Sequence, residues 1–203
     1  MGAADRAEGA RLGELRTVVF DIGETLVDET RAWGLVARAV GVPALTLFAA
    51  LGVVIERGED HRQVWPLLGV DAPSVIPTIE RSDFYPDAIP TLEALRRAGY
   101  GIGLAGNQPA QASGELRALG LPVDFVVTSA GLGVRKPAPE FFASVVAAAG
   151  LPAAQVAHVG DRVDNDVVPA AGAGMFSVFL IRGPWAHAQK SLPGAATRWE
   201  SLG

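Results

Sequence analysis

Cysteine is absent from the 203-residue chain, and lysine occurs only at Lys136 and Lys190. Without cysteine there is no disulfide framework, no thiolate nucleophile and no thiolate zinc centre. Arginine carries the remaining positive charge, so each lysine is a candidate for a specific task. Acidic residues outnumber basic ones, 22 to 17, for a formal net charge of −5. That balance argues against a protein that coats nucleic acid. No apolar run approaches the ~18 residues of a membrane span. The longest, around 44–55, is broken by Thr46 and Gly52 and reads as a buried helix. The polar stretch 1–16 has no apolar centre of the kind a secretory signal needs. Arg6 stands where a myristoylation signal wants Ser or Thr. The expectation is a cytoplasmic protein with no membrane and no nucleic-acid partner.

What is present is 49% hydrophobic residues, enough for a sizeable core. Thr17-Val18-Val19-Phe20 is short, β-branched and nearly all apolar, as a strand covered on both faces should be. A helical region follows over about 31–81, divided by Pro43, Pro66, Pro73 and Pro77, with no strand pattern in it. Beyond Tyr85 helices and strands alternate. Helices are expected near 89–98, 110–119, 139–149 and 167–173, and strands near 102–105, 125–127, 156–159 and 177–181. Gly99, Gly120, Gly150 and Gly174 fall at the helix stops. Such alternation predicts an α/β fold, a three-layer sandwich with a parallel Rossmann-like sheet and a helical insert after the first strand. The tail after Gly183 carries little pattern.

Ligands in open α/β sheets bind beyond the carboxyl ends of the strands. The residues there are Asp21-Ile22-Gly23-Glu24-Thr25, Gly106-Asn107-Gln108, Thr128-Ser129 leading to Arg135-Lys136-Pro137, and Gly160-Asp161 through Asp166. Clustered carboxylates call for a cation, and all-oxygen ligation suits Mg²⁺. A lysine beside Mg²⁺ suits an anionic ligand, with phosphate the obvious one.

Four segments in this order resemble the haloacid dehalogenase-like (HAD) superfamily, helical-cap type, over about 17–181. Val18 to Leu26 is similar to the family's strand and DxDGTL loop, and Tyr85-Pro86-Asp87-Ala88 to its re-entry after a cap. Gly106-Asn107 lies at the second motif, Arg135-Lys136-Pro137 at the third, and Gly160 to Val167 at the fourth. The resemblance implies a core domain of residues 1–29 and 84–203 and a cap domain of 30–83. It also implies a Mg²⁺-dependent phosphatase for a small phosphorylated metabolite. Asp21 would be the nucleophile, forming an aspartyl-phosphate. Asp21, Asp161 and the Gly23 carbonyl would hold the metal, with Asp166 supporting the loop or reaching the metal through water. Lys136 would pair with Asp21 and the transferred phosphate. Thr25 would fix the loop, and backbone N–H groups of the Asp21 loop and of Gly106-Asn107 would hold phosphate oxygens.

Two positions depart from the family. Its phosphatases carry a general acid–base Asp two residues after the nucleophile, where this chain has Gly23. Glu24 is adjacent, but a side chain one residue along points elsewhere. Gly106 replaces a phosphate-binding hydroxyl. These departures support an alternative, a catalytically impaired or inactive HAD-fold protein that binds Mg²⁺ and an anion. Gly23 also speaks against dehalogenation, for which the family carries an aromatic residue there. The insert has no lysine for Schiff-base cleavage of phosphonates.

Plainer readings are expected elsewhere. The string Gly101 to Gly106 matches GxGxxG, but a helix precedes it, so Gly101 and Gly103 are expected to relieve crowding against a helix. Asp164 is expected to cap a helix and His158 to pack in the core. Trp33, Trp65 and Phe48 are expected in the cap core. Lys190 is expected at the surface. His61 could face the site, and Glu29, Arg31 and Asp83 flank the cap hinges.

Overall fold

The computed structural model describes residues 13–74, 77–191, 198–199 and 201–202. The readings for the first 12 residues lie outside these. Strands β1 (Thr17–Phe20), β2 (Gly101–Gly106), β3 (Phe125–Thr128), β4 (Val156–Gly160), β5 (Phe176–Leu180) and the two-residue β6 (Arg198–Trp199) form one sheet. Its order is β3-β2-β1-β4-β5-β6, and each neighbouring pair is parallel. The chain turns back across the sheet between β3 and β4. The crevice that this reversal opens lies beside β1, at the carboxyl ends of β1 and β4.

Helices between β1 and β2 are α1 (Thr30–Ala39), α2 (Ala44–Glu56) and α3 (Val64–Leu68), followed by α4 (Ala88–Arg97). Then come α5 (Ala112–Ala118), α6 (Ser129–Leu132), α7 (Pro139–Ala149), α8 (Val168–Gly172) and α9 (Gly183–Gln189). Residues alternate across each strand, so the sheet has two packed faces. Phe20, Ile102, Leu104, Val159 and Val178 join Leu92 of α4 and Leu116 of α5 in one cluster. Val19, Ala105 and Val127 join Phe141, Phe142 and Val145 of α7 and Ala170 of α8 in another. These are the three layers that the strand pattern predicts.

The insert has an apolar cluster of its own, with Val36, Leu47, Leu51, Val54, Val64 and Trp65. Trp185 of α9 joins it from the far end of the chain. Phe48 departs from expectation: it is 36% exposed and lines a small side cavity with Trp33, Tyr85 and Trp185. Two extended segments carry the chain into and out of the insert. Asp28 N–H donates to the Asp83 carbonyl at 2.8 Å, and Tyr85 N–H to the Leu26 carbonyl at 2.9 Å. The Arg31 guanidinium grips both oxygens of Asp83 at 2.6 Å each. No single helix among the described residues is long and apolar enough to cross a membrane.

One further expectation is corrected. The glycines of β2 face strand neighbours, not a helix. A Cβ on Gly101 would lie 2.5 Å from Thr17 Oγ1, and one on Gly103 would lie 2.3 Å from the Phe125 ring. In the weakly patterned tail, the described residues form α9 and β6.

Candidate active site

Asp21 leaves the carboxyl end of β1, its N–H still bound to the Val159 carbonyl of β4 at 2.8 Å. Residues 22–27 then form a tight turn, with Leu26 N–H and Val27 N–H both donating to the Ile22 carbonyl. Asp161 follows β4. Asp166 sits in a π-helical turn, Val163–Val167, a distortion common at functional sites. Lys136 arrives on the loop between α6 and α7. Asn107, at the end of β2, clamps its backbone: Lys136 N–H donates to Asn107 Oδ1 at 2.8 Å, and Asn107 Nδ2 donates to the Lys136 carbonyl at 3.1 Å.

These elements bring Lys136 Nζ within 2.5 Å of both Asp21 Oδ1 and Asp166 Oδ1. All three side chains are buried. Burial by itself pushes the Lys136 ammonium down, but Asp166 and Asp21 outweigh it and hold the pKa above the ordinary lysine range. Lys136 is thus a fixed cation. Burial likewise disfavours ionised Asp166, yet Lys136 and the His158 hydrogen bond bring it down to about 2. His158 Nε2 lies 3.1 Å from Asp166 Oδ1. His158 is in the core as expected, and it also steadies Asp166.

Asp21 and Asp161 shift the other way. Burial is the leading cause in both; Asp166 adds repulsion in both, Asp21 adds it to Asp161, and Lys136 opposes the shift in both. Donor oxygens of Asp21, Asp161 and Asp166 lie within 4.8 Å of one another. Asp161 Oδ2 and Asp166 Oδ2 are buried with no hydrogen-bond partner among the described residues. One lysine against three carboxylates leaves negative charge uncompensated, and the orphaned oxygens are what a hard divalent cation takes. The residues present therefore fit Mg²⁺.

Residues 15–174 match the family of haloacid dehalogenase-like hydrolases. The chain belongs to this family. It is 38% identical to the glyceraldehyde 3-phosphate phosphatase of Methanopyrus kandleri over 184 residues, 89% of this chain and 70% of that protein. It is 32% identical to the ribulose-1,5-bisphosphate 5-phosphatase of Halopiger xanaduensis over 122 residues, 59% of this chain and 51% of that protein. The crystal structure of a HAD phosphatase from Thermococcus onnurineus superimposes with a TM-score of 0.59 at 24% identity, covering 93% of this chain and 94% of that one. That likeness shows the fold.

Within this HAD-like hydrolase, the other expected site residues are placed unevenly. Gly106 lies against the loop: a Cβ there would be 3.1 Å from Ile22 Cδ1 and 3.3 Å from Asp21 Oδ1. Thr25 is fully buried, but its hydroxyl has no hydrogen-bond partner among the described residues. The loop is held instead by its carbonyl, which accepts from Arg182 Nη1 at 3.0 Å. Asp164 makes no cap; it pairs with Arg162 at 2.6 Å and accepts from Gln189 at 2.8 Å. His61 lines the cleft with Asp21, Gly23, Glu29, Lys136, and Asp161. Lys190 is exposed as expected.

Three hydrogen-bonding roles were not visible in the sequence. The Glu24 carboxyl is held by two donors. It accepts from Tyr85 Oη at 2.7 Å and from Glu29 N–H at 3.0 Å. Its φ of +54° lies in the left-handed region. Trp33 Nε1 donates to Glu29 Oε2 at 3.2 Å. Burial, with Glu24 and Asp21 adding repulsion, raises the Glu29 carboxyl to about 7. The sequence signal for Glu29 was only its place beside a cap hinge, a kind of position that can touch substrate.

Proposed function

We propose that this HAD-like hydrolase is a Mg²⁺-dependent phosphatase for a small phosphorylated metabolite, acting through an aspartyl-phosphate on Asp21. The observation that carries the reading is the buried Asp21–Lys136–Asp166 array beside the orphaned oxygen of Asp161. Asp21, Asp161 and the Gly23 carbonyl would hold Mg²⁺, with Asp166 supporting them. When bound, Mg²⁺ supplies positive charge against the repulsion between a phosphoryl group and the carboxylates.

Asp21 attacks phosphorus through a carboxylate oxygen while the bond to the leaving oxygen breaks. Lys136 keeps Asp21 aimed and offers its charge to the transferred phosphoryl group. Backbone N–H groups of the Asp21 loop and of Gly106-Asn107 receive its oxygens, and Thr25 lies buried under the loop. Water then attacks phosphorus, releases phosphate and restores Asp21.

A cleft of about 1310 Å³ leads to this array, with Arg62, Arg135 and Arg162 in its walls. That is ample room for a small anionic metabolite. The phosphorylated substrates named for the two curated relatives support the same class. In this reading, residues 1–29 and 84–203 form the core and residues 30–83 form a cap that closes over the cleft. The apolar cluster of the insert, which Trp185 of the core also joins, supports that division. The cytoplasm is the compartment proposed.

The test is a panel of aryl, acyl and alkyl phosphates with Mg²⁺, run beside Asp21→Asn. Wild-type turnover should depend on Mg²⁺ and vanish in Asp21→Asn. Turnover surviving Asp21→Asn would sink the mechanism. Binding of a phosphate mimic with Mg²⁺ but no turnover of any substrate would establish the inactive, anion-binding alternative.

A further inference from the structure

Gly23 leaves the loop without a side chain two residues after Asp21, and the structure fills that gap from elsewhere. A Cβ built on Gly23 would stand 2.5 Å from Glu29 Oε1, 2.8 Å from Glu29 Cδ and 3.3 Å from Glu29 Oε2. The Glu29 carboxyl therefore occupies the volume that a side chain at position 23 would take. It lines the same cleft as Asp21, Lys136 and Asp161. Its placement is determined on two sides. The Glu29 N–H is bound by Glu24, itself held by Tyr85. The Oε2 atom is bound by Trp33, one turn along α1. No hydrogen bond among the described residues falls on Oε1, the oxygen nearest Gly23.

We infer that Glu29 is the proton-transferring carboxyl of this site, replacing the residue that the loop lacks at position 23. The inference rests on the phosphatase reading. As Asp21 Oδ bonds to phosphorus and the phosphorus–oxygen bond to the leaving group breaks, Glu29 O–H gives its proton to the leaving oxygen, which departs as the alcohol. The resulting Glu29 carboxylate then takes a proton from the water that attacks phosphorus. The phosphorus–Asp21 bond breaks, phosphate leaves, and both carboxyl groups return to their starting states. Glu24 and Trp33 are positioning residues for this group.

The placement also changes what a substitution at 23 would do. Adding Asp at 23 alone puts two carboxyls in one volume, so Gly23→Asp must be paired with removal of Glu29.

The test reads the leaving group. An alkoxide needs a proton to depart, while an aryl oxide or acyl phosphate needs it far less. Glu29→Gln keeps the shape and the Trp33 contact but has no proton to give. It should lose about 10²–10⁴-fold in kcat on alkyl phosphates, the usual worth of general acid catalysis, and less than about 10-fold on aryl phosphates. An equal loss on both classes would assign Glu29 a packing role and overturn the inference, as would full alkyl activity. If Glu29→Gln does not fold, the double variant Glu29→Ala/Gly23→Asp answers the same question. It should recover alkyl turnover relative to Glu29→Ala, and no recovery would count against the inference. Asp21→Asn separates the two levels, since it should remove turnover of both substrate classes. A wild-type protein inert on both classes would overturn the phosphatase reading and this inference together.

Discussion

Lys136 shows how much one residue can hold. Two carboxylates grip its ammonium in a buried site, so deleting the charge takes their shared cation from Asp21 and Asp166. Removing one member of a buried pair typically costs about 3–5 kcal/mol. Lys136→Met should therefore lower the urea midpoint of the metal-free protein by a stability loss of that order and abolish turnover. A loss below about 1 kcal/mol would mean that Asp21 and Asp166 relax or take up protons at little cost. Lysine scarcity made Lys136 conspicuous, but its two partners lie 115 and 30 residues away and came from the fold. Glu29 is the opposite case. The sequence marks it only as a residue flanking a cap hinge, because its significance depends on where its carboxyl ends relative to Gly23.

At the scale of elements, β2 is the instructive strand. Its glycines are there because neighbouring strands crowd it. Gly103 is in register with Phe125, whose ring covers the position of a Cβ. Overfilling such a site costs about 1–3 kcal/mol. Gly103→Ala should lower the denaturation midpoint accordingly, and Gly103→Ala/Phe125→Leu should recover part of the loss. A neutral Gly103→Ala would show that the Phe125 ring swings aside freely. The GxGxxG string is thus a packing device on an interior strand. The π-helical turn after β4 works similarly on the site: it brings Asp166 inward toward Lys136 and His158, where a cap at Asp164 had been expected.

The whole molecule is a sheet with a helical insert tied on by paired connections. Arg31 and Asp83 close the hinge from its two sides. The Arg31 hydrogen bonds lead in lowering the Asp83 pKa below the ordinary 3.8. A depressed carboxyl stabilises the folded state above its unfolded pKa, and that contribution is lost as pH falls through the folded value. The thermal midpoint of the wild type should therefore drop more steeply below about pH 4 than that of Asp83→Asn. Parallel curves would show that the hinge pair adds nothing. Trp185 adds a second tie, since it reaches from α9 into the apolar cluster of the insert.

The sequence by itself determined the order of helices and strands, the helical insert and the four strand ends where the chemistry gathers. Hydrophobic period and the glycine and proline stops are local properties, so they can be read along the chain. The candidate residues Asp21, Lys136, Asp161 and Asp166 were legible because each directly follows a strand or falls in a motif of the family. Only the tertiary structure decided what these residues touch. It put Asn107 on the backbone of Lys136, His158 on Asp166, the carbonyl of Thr25 on Arg182 and the carboxyl of Glu29 in the space beside Gly23. Such contacts depend on side-chain direction and on which crossover brings distant segments together, and neither quantity leaves a periodic trace in the sequence.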